Sequence, residues 1–595
     1  MRIMFFTDTY DPQINGVVTS IKTFRRELEK LGHEVAVVCP GTGKEPGEKM
    51  VFRVPSFRFR PYPEYRGGLP LGILKRVRDF DPDIIHVHSP APVGLAGVYA
   101  ARKLGIPCVA TYHTLLEEYF KYFLFWIKDP KKVEKISKKL MKGYTRVFYN
   151  LPDAVISPSK EMKAELEKRG VRCSAVIPTG VAVCGRRKKP ERRFVYAGRL
   201  GKEKNVDTVI RAFSKVGEEA ELVIIGDGPA RKDLEKLAGD LGISDRVRFT
   251  GYLEHEELLK SDLLGRATAF VSASTTETQG LVILEAMALG CPVLVPRALG
   301  PKDFVKDGVN GMFFSGQRDL SRKMAILLKR PELRERLSKN ALKTARAFEA
   351  RKLVKKLEEL YEKLAFPKVS VVVPAFNEER YIERTLKSLK RQTYRNMEIV
   401  VVDNRSEDRT AEIARKYAKV VEEPKRGISA ARNRGARECD GEVVLFIDAD
   451  TVPERDFVER VAKKFRDRRV VGACGFVESE GSAPARLVYR ICSELVGILT
   501  AIGRPMFYGM CAAYRKEVFE KVGGFDENLE TAEDIDLTMR ISKYGKCVFL
   551  RDARAKTSPR RIVGMGLWKA VGFHVVNFFR HTIFRSPAKN YEAIR

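Results

Sequence analysis

The feature that most constrains the fold of this chain is a repeated alternation of short β-rich runs with amphipathic helical segments. Runs such as IMFF, VAVV and DIIHVH are followed by loop residues and by apolar residues at helical spacing. This pattern is typical of parallel α/β sheets, whose strands are joined by helical crossovers. A chain of 595 residues is also too long for one hydrophobic core, so the sequence predicts several α/β domains.

Three α/β units follow one another, and we place them at 1–184, 185–364 and 365–595. The second unit opens with the basic run GRRKKPERR, interpreted as a solvated linker, and closes with a strongly charged helical stretch. The third unit starts at Pro367, after a connection too short to act as a flexible tether.

The formal net charge of +32 narrows the classes of partner. It suits nucleic acid, an acidic membrane face or phosphorylated substrates. The sequence lacks zinc-finger spacing and the aromatic-basic pattern of RNA-binding sheets, so a nucleic-acid partner is not predicted. The ten cysteines never fall as CxxC, which argues against zinc and against a secreted disulfide framework. The first residues lack the pattern of a signal peptide, and no uncharged apolar stretch reaches the roughly 18 residues of a membrane-spanning helix. We therefore expect a cytoplasmic protein that is peripheral on the cytosolic membrane face.

Charged residues of the second unit follow its predicted strands. Arg199 and Lys204 lie in GRLGKEKN, and Glu277 and Glu285 lie in ETQGLVILEAMA, around a predicted helix start. Ligands of parallel α/β folds bind at the carboxyl ends of the strands. Two cations and a helix N-terminus can neutralise a diphosphate, while carboxylates can bind sugar hydroxyls.

With FTDTYDPQINGVVTSI, TYHTLLEEY and TTETQGLVILEAMALGCPV, these motifs make residues 1–364 resemble retaining glycosyltransferases of family four, especially the diacylglycerol glucosyltransferase and lipid mannosyltransferase branch. The resemblance implies a GT-B fold of two Rossmann-like lobes and catalysis without a metal. It implies that Gly16 lets the first loop approach the donor and that His113 sits beside the reacting hexose. It also implies roles for Arg199 and Lys204 on the diphosphate, Glu277 on the hexose and Glu285 on the ribose. Residues 298–314 lack the family's glycine-rich turn, which leaves the choice of hexose open.

In the third unit, Asp448 and Asp450 end the apolar run of GEVVLFIDADT. Alternating acids at a strand end project to the same side and can hold a divalent cation together with substrate phosphates. A DxD motif by itself is also common in ordinary acidic turns, so it indicates a metal site only when other motifs of the same kind of enzyme accompany it.

VVVPAFNEE, VVDNRSEDRT and AEDIDL accompany the DxD, and residues 367–560 resemble inverting glycosyltransferases of family two, which have the GT-A nucleotide-diphospho-sugar transferase fold. The resemblance implies a divalent cation, Mg or Mn, held by Asp448 and Asp450, with Asp448 also on the donor. It implies that Asp534 is the general base, supported by Glu533. The implied donor-pocket residues are Pro374, Glu378 and Asp403, and Arg560 and Arg561 are further phosphate contacts. The QxxRW motif of processive synthases is absent, which argues against a polymerase.

Residues 119–149 combine clustered aromatic residues with many lysines. This composition fits an interfacial segment attracted to anionic headgroups, and it equally fits a core-packing helix with a solvated lysine face. Residues beyond 562 are also aromatic and basic and leave the same two interpretations open.

The sequence therefore predicts a bifunctional enzyme that moves hexoses from UDP- or GDP-linked donors to a lipid or lipid-linked acceptor. One alternative is two independent transferases in cell-surface glycan assembly. Another is that one half is only a membrane or acceptor docking module.

Replacing Lys131, Lys132, Lys138 and Lys139 with glutamate should release the protein from anionic vesicles. Each lysine near such a surface contributes about 1 kcal/mol before screening by salt. Cosedimentation with vesicles measures the effect, and unchanged sedimentation would identify the segment as a core-packing helix.

Overall fold

The computed structural model describes residues 1–13, 15–41, 47–58, 66–120, 129–183, 189–217, 219–529 and 531–560. The chain divides into two compact units, Met1–Tyr361 and Glu362–Arg595, and the boundary falls within the last turn of the helix that ends the first unit.

The first unit begins with a parallel α/β layer. Its elements are β1 (Arg2–Phe6), α1 (Gly16–Lys30), β2 (Glu34–Pro40), β3 (Val51–Val54), β4 (Ser56–Arg58), β5 (Arg66–Gly68), α2 (Ile73–Phe80), β6 (Ile84–Val87), α3 (Pro92–Leu104), β7 (Cys108–Thr111), α4 (Leu116–Phe120), α5 (Pro130–Tyr149), β8 (Ala154–Ser157), α6 (Lys160–Lys168) and β9 (Ala175–Val176). The parallel sheet has the strand order β3-β2-β1-β6-β7-β8-β9, and β4 and β5 form a separate antiparallel pair.

A second parallel sheet completes the first unit. Its elements are β10 (Arg193–Ala197), α7 (Val206–Phe213), β11 (Glu221–Ile225), α8 (Arg231–Asp240), β12 (Val247–Gly251), α9 (His255–Lys260), α10 (Asp262–Gly265), β13 (Ala269–Val271), α11 (Leu281–Ala288), β14 (Val293–Pro296), β15 (Met312–Phe314), α12 (Gly316–Lys329), α13 (Pro331–Ala347) and α14 (Ala350–Ala365). The strand order is β12-β11-β10-β13-β14-β15. Most strands of the two sheets are followed by a helix, as is usual for parallel sheets whose two faces are both covered.

The second unit contains one mixed sheet. Its elements are β16 (Val369–Ala375), α15 (Ile382–Lys390), β17 (Met397–Asp403), α16 (Thr410–Arg415), β18 (Lys419–Glu422), α17 (Ile428–Arg437), β19 (Val443–Phe446), β20 (Thr451–Pro453), α18 (Phe457–Phe465), β21 (Val470–Ser479), α19 (Ala483–Ala501), β22 (Ala512–Arg515), α20 (Lys516–Lys521), α21 (Glu533–Ser542) and β23 (Lys546–Thr557). The strand order is β18-β17-β16-β19-β22-β21-β23-β20. The strands β18, β17, β16 and β19 are parallel, whereas β22 runs antiparallel to both of its neighbours.

These elements confirm the predicted α/β fold class. The β-rich runs are the central strands of the three large sheets, and the valine-rich strand β16 is buried along most of its length. Local signals set the helix ends: the Asn15 side chain accepts hydrogen bonds from the amides of Val17 and Val18, and Gly32 follows α1 at φ 85°.

Most of the described part of the lysine-rich segment, residues 119–149, is the helix α5, and residues 119 and 120 end α4. The helix α5 buries Ser137, Thr145 and Phe148 and leaves the four lysines chosen for substitution exposed. Residues 121–128, which include four of the aromatic residues of this segment, lie outside the described residues, as do residues 561–595. Among the described helices, none is both long and apolar enough to cross a membrane.

Candidate active sites

In the first unit, the loops at the carboxyl ends of β10, β11 and β13 bring charged side chains together. The glycine-rich turn after β11 packs closely on the turn after β10: a Cβ at Gly226, where φ is 132°, would lie 2.1 Å from the carbonyl oxygen of Gly198. Only glycine therefore fits at this position.

The central charged pair of this site joins Lys204 and Glu277. The Lys204 Nζ lies 2.5 Å from the Glu277 Oε1, and both side chains are largely buried. Burial acts to raise the pKa of Glu277, but the attraction of the Lys204 ammonium outweighs it and holds that pKa below its usual value. Glu277 is therefore an ionised hydrogen-bond acceptor near neutral pH.

His113 lies beside this pair because of the loop that carries Glu277. The Thr278 hydroxyl donates to the His113 carbonyl oxygen at 2.7 Å, so the loop after β13 is attached to the end of β7. Burial lowers the pKa of His113 to about 3, so the ring is neutral near pH 7. A neutral imidazole can donate or accept one hydrogen bond with a sugar hydroxyl.

The remaining predicted residues of the first half surround this centre. Arg199 follows β10 and lies 3.9 Å from the carboxylate of Glu203. Glu285 is buried on α11, and its Oε1 lies 2.7 Å from the His255 Nε2. Gly16 begins α1, and a Cβ added there would meet no atom of the described residues within 4 Å.

Two further side chains, for which no role was predicted from the sequence, support His113. His88 Nδ1 is 3.0 Å from His113 Nε2, and the two rings are stacked, which fixes the orientation of His113. The buried carboxylate of Asp8 accepts hydrogen bonds from the Ser89 hydroxyl and from the first amides of α3, which holds the loop that carries His88. Asp8 and His88 lie in the motifs FFTDT and HVHSP, at the ends of predicted strands. This position at a strand end was the sequence signal that could have identified them as site residues.

In the second unit, the residues predicted for the donor pocket lie at the ends of β16 and β17 and in the loops that follow. Pro374 lies near the end of β16, and Asp403 ends β17. Asp403 is buried, and its Oδ1 has no hydrogen-bond partner among the described residues. A buried acceptor without a partner is unfavourable unless a bound molecule supplies a donor.

Arg560 connects two of the predicted acids. Its guanidinium binds both carboxylate oxygens of Glu378, at 2.8 and 2.5 Å, and its Nε lies 3.1 Å from the Asp450 Oδ2. Burial raises the pKa of Glu378 despite the arginine, and the charges of Asp450 and Asp448 act in the same direction. Arg561 lies outside the described residues.

Arg432 is the charged centre of the second unit, and no role was predicted for it. Its guanidinium is 2% exposed and binds the Asp448 Oδ1 at 3.1 Å and the Glu533 Oε1 at 2.9 Å. Gly509 leaves the space for it, since a Cβ there would lie 2.3 Å from an Arg432 nitrogen. The only sequence signal was an arginine within a small-residue run, SAARNRG, which folds as the buried helix α17.

The two acids at the start of α21 share a buried environment. Desolvation raises the pKa of Glu533 to about 7, with a further rise from the neighbouring charge of Asp534 and an opposing effect of Arg432. Burial also raises the pKa of Asp534, whose carboxylate accepts hydrogen bonds from the amides of Gly509 and Ile535, both at 2.8 Å. A carboxylate with a raised pKa is suited to proton abstraction near neutral pH.

Asp448 and Asp450 lie in the turn beyond β19 rather than on the strand itself. Among the described residues, no group of three or more His, Cys, Asp or Glu side chains is arranged to hold a metal ion. Two carboxylates still fit a magnesium-like cation, because such an ion commonly takes one or two protein carboxylates and completes its shell with water and substrate phosphates.

Three family profiles match the chain. The family described as Glycosyltransferase Family 4 matches residues 14–183, Glycosyl transferases group 1 matches 185–344 and Glycosyl transferase family 2 matches 370–523. The chain belongs to the glycosyltransferases, with a family four half followed by a family two half. The matches and the sheets described above confirm the predicted GT-B fold followed by a GT-A domain.

Curated relatives of this glycosyltransferase include enzymes named for lipid glycosylation. An alpha-monoglucosyldiacylglycerol synthase of Streptococcus pneumoniae is 33% identical, over 56% of this chain and 80% of the relative. The enzyme of the same name from Acholeplasma laidlawii is 29% identical, over 61% of this chain and 96% of the relative. A GDP-mannose-dependent alpha-mannosyltransferase of Mycolicibacterium smegmatis is 30% identical, over 51% of this chain and 82% of the relative.

Arg432→Met should lower the free energy of unfolding of the second unit by about 3–5 kcal/mol, because it leaves buried carboxylates without their cation. Calorimetry should detect this as a lower transition temperature. Neutralising the partners as well, with Asp448→Asn and Glu533→Gln, should restore most of the loss. Arg437→Met, an exposed change on the same helix, is the control, and an equal loss there would contradict this assignment.

The transfer rate of the second half should fall as the pH is lowered, because burial raises the pKa of the proposed base Asp534 and a protonated carboxyl group cannot take the proton of the acceptor. Glu533→Gln removes the neighbouring negative charge and should move this limb to lower pH. Asp534→Asn should reduce the rate about 10²- to 10⁴-fold at every pH. The pH profile of kcat/KM tests both, and an unchanged profile in Glu533→Gln would refute the coupling of the two acids.

Proposed function

We propose that this glycosyltransferase carries two active sites that move hexoses from nucleotide-sugar donors to a lipid or lipid-linked acceptor. The observation that carries the proposal is that each unit has its own buried set of paired charges at the carboxyl ends of its strands. In the first unit the set is Lys204 with Glu277, and in the second it is Arg432 with Asp448 and Glu533.

The first half is proposed to act as a retaining transferase that needs no metal. Arg199, Lys204 and the N-terminus of α11 would neutralise the donor diphosphate. When the donor binds, Lys204 would turn from Glu277 to the phosphates, and Glu277 would accept hydrogen bonds from hexose hydroxyls. The neutral ring of His113 would hold a further hydroxyl, and Glu285 the ribose.

The second half is proposed to act as an inverting transferase. Asp448 and Asp450 would hold a divalent cation, which when bound offsets the charge of the leaving diphosphate. Arg432 and Arg560 hold the carboxylates in place before the donor arrives, which lowers the reorganisation needed for catalysis. Asp403 would accept a hydrogen bond from the nucleotide, and Asp534 would take the proton of the acceptor hydroxyl, with Glu533 in support.

The acceptor is proposed from the names of the relatives, which include two alpha-monoglucosyldiacylglycerol synthases. A glycerolipid acceptor lies in a bilayer, so the enzyme would work while attached to a membrane face. The net charge of +32 favours an anionic surface, and the exposed lysine face of α5 would contribute to attachment. The donors would carry UDP or GDP, and we place the enzyme on the cytosolic face.

The two activities should separate by metal. Chelation, or Asp450→Ala, should reduce transfer by the second half at least about 100-fold and leave the first half unchanged, whereas Glu277→Ala should do the reverse. The measurement is donor turnover and product mass for each of several UDP- and GDP-sugars with a lipid extract. Glu422→Ala and Glu219→Ala, at exposed carboxylates, are the matched controls. Equal inhibition of both activities by a chelator would refute the division of mechanisms.

A further inference from the structure

The helix α19 (Ala483–Ala501) exposes a continuous apolar stripe. At about 100° per residue, its members fall within an arc of about 80° on the side of the helix opposite its buried face. Scattered exposed aliphatic side chains are normal, but a continuous exposed stripe of this length marks an interaction surface. The exposed fractions are 58% for Leu487, 57% for Ile491, 46% for Leu495, 53% for Ile498 and 67% for Ile502.

A row of positive charge runs along one edge of this α19 stripe. Arg486 and Arg490 are exposed one turn apart, and the next position in the row, Glu494, pairs with Arg551 at 2.7 Å. Arg504 is exposed just beyond the helix end. In the described part of the chain, neither Arg486, Arg490 nor Arg504 has an ion-pair partner. Exposed aliphatic side chains beside free cations are the composition of a helix that lies in the interface of an anionic membrane.

The opposite face of α19 reaches the candidate base of the second half. The Ser493 hydroxyl bonds the backbone of Val477 and lies 2.6 Å from the Tyr508 hydroxyl. The next residue, Gly509, donates its amide to Asp534 at 2.8 Å. The stripe and Asp534 are thus separated by one helix and a short chain of hydrogen bonds.

We propose that the α19 stripe lies in the headgroup region of an anionic lipid bilayer, so that the second half receives its lipid-linked acceptor from that surface. The proposal rests on the proposed function for its acceptor, and it names the surface that presents this acceptor to Asp534. A helix about 10 Å across, lying parallel to the bilayer, keeps the base close to headgroup level, where a lipid-linked hydroxyl is found. A protein partner is less suited to this face, because the exposed arginines along its edge can bind lipid phosphates without requiring specific positions.

A tryptophan placed on the stripe tests the proposal in the full-length chain. Trp126→Phe and Trp568→Phe remove the natural tryptophans, and Leu495→Trp introduces the probe. Vesicles of phosphatidylcholine with phosphatidylglycerol should shift its emission to the blue, and brominated lipids should quench it several-fold. Val309→Trp, at a position of similar exposure in the first unit, is the matched control and should respond to neither.

Charges on the stripe should abolish this response. Adding Ile491→Glu and Ile498→Glu should weaken lipid quenching of the probe more than about tenfold, since two apolar side chains no longer enter the bilayer. Leu71→Glu with Val309→Glu, at exposed positions of the first unit, should leave the quenching unchanged. Donor hydrolysis by the second half should persist in both variants.

Three results would overturn the proposal. The first is a probe whose emission wavelength does not change when vesicles are added. The second is emission that is already blue without vesicles and depends on protein concentration, which would assign the stripe to a second copy of the chain. The third is the same blue emission independent of concentration, which would assign it to the chain's own residues 561–595. If lipid still quenches the probe but no donor is hydrolysed, the result contradicts the proposed function and still supports the assignment of the α19 stripe to the membrane.

Discussion

The buried guanidinium of Arg432 is the interaction on which the second unit depends. Asp448 and Glu533 lie 85 positions apart in the sequence, and Arg432 holds both within hydrogen-bond distance. Isolated buried carboxylates are very unfavourable, so their placement requires a cation of fixed geometry, and the planar fork of arginine supplies it. The same contact thereby relates the turn that would hold a metal to the helix that would supply the base.

The first unit also stabilises a buried carboxylate with a cation, but it uses a lysine in place of the arginine. Lys204 neutralises Glu277, while His113 and His88 are kept neutral by burial. A lysine is a compact charge without a fork, and it can leave Glu277 for a phosphate at little geometric cost. The two halves therefore differ in the flexibility of their central cation.

Most of the candidate site residues could be proposed from the sequence, because they lie at or just after the ends of predicted β-strands. Asp403 and Asp448 come directly after apolar runs, and Glu277 lies in the loop that follows β13; parallel sheets gather such positions at one edge. Arg432, His88 and Asp8 were missed for a physical reason. Their importance lies in partners distant along the chain, and short-range patterns carry no information on which distant charges meet.

The sequence by itself determined the alternation of strands and helices, the succession of α/β units and the motifs of both glycosyltransferase families. These depend on residue periodicity and on turn residues, which act over a few neighbours. Only the tertiary structure decided which charges pair, that Arg560 holds Glu378 and Asp450 together, and that α19 leaves its aliphatic stripe exposed. Along the sequence α19 is apolar around most of its circumference, which by itself indicates a buried helix. The strands β21 and β23 cover one side of it and leave the other to water or lipid.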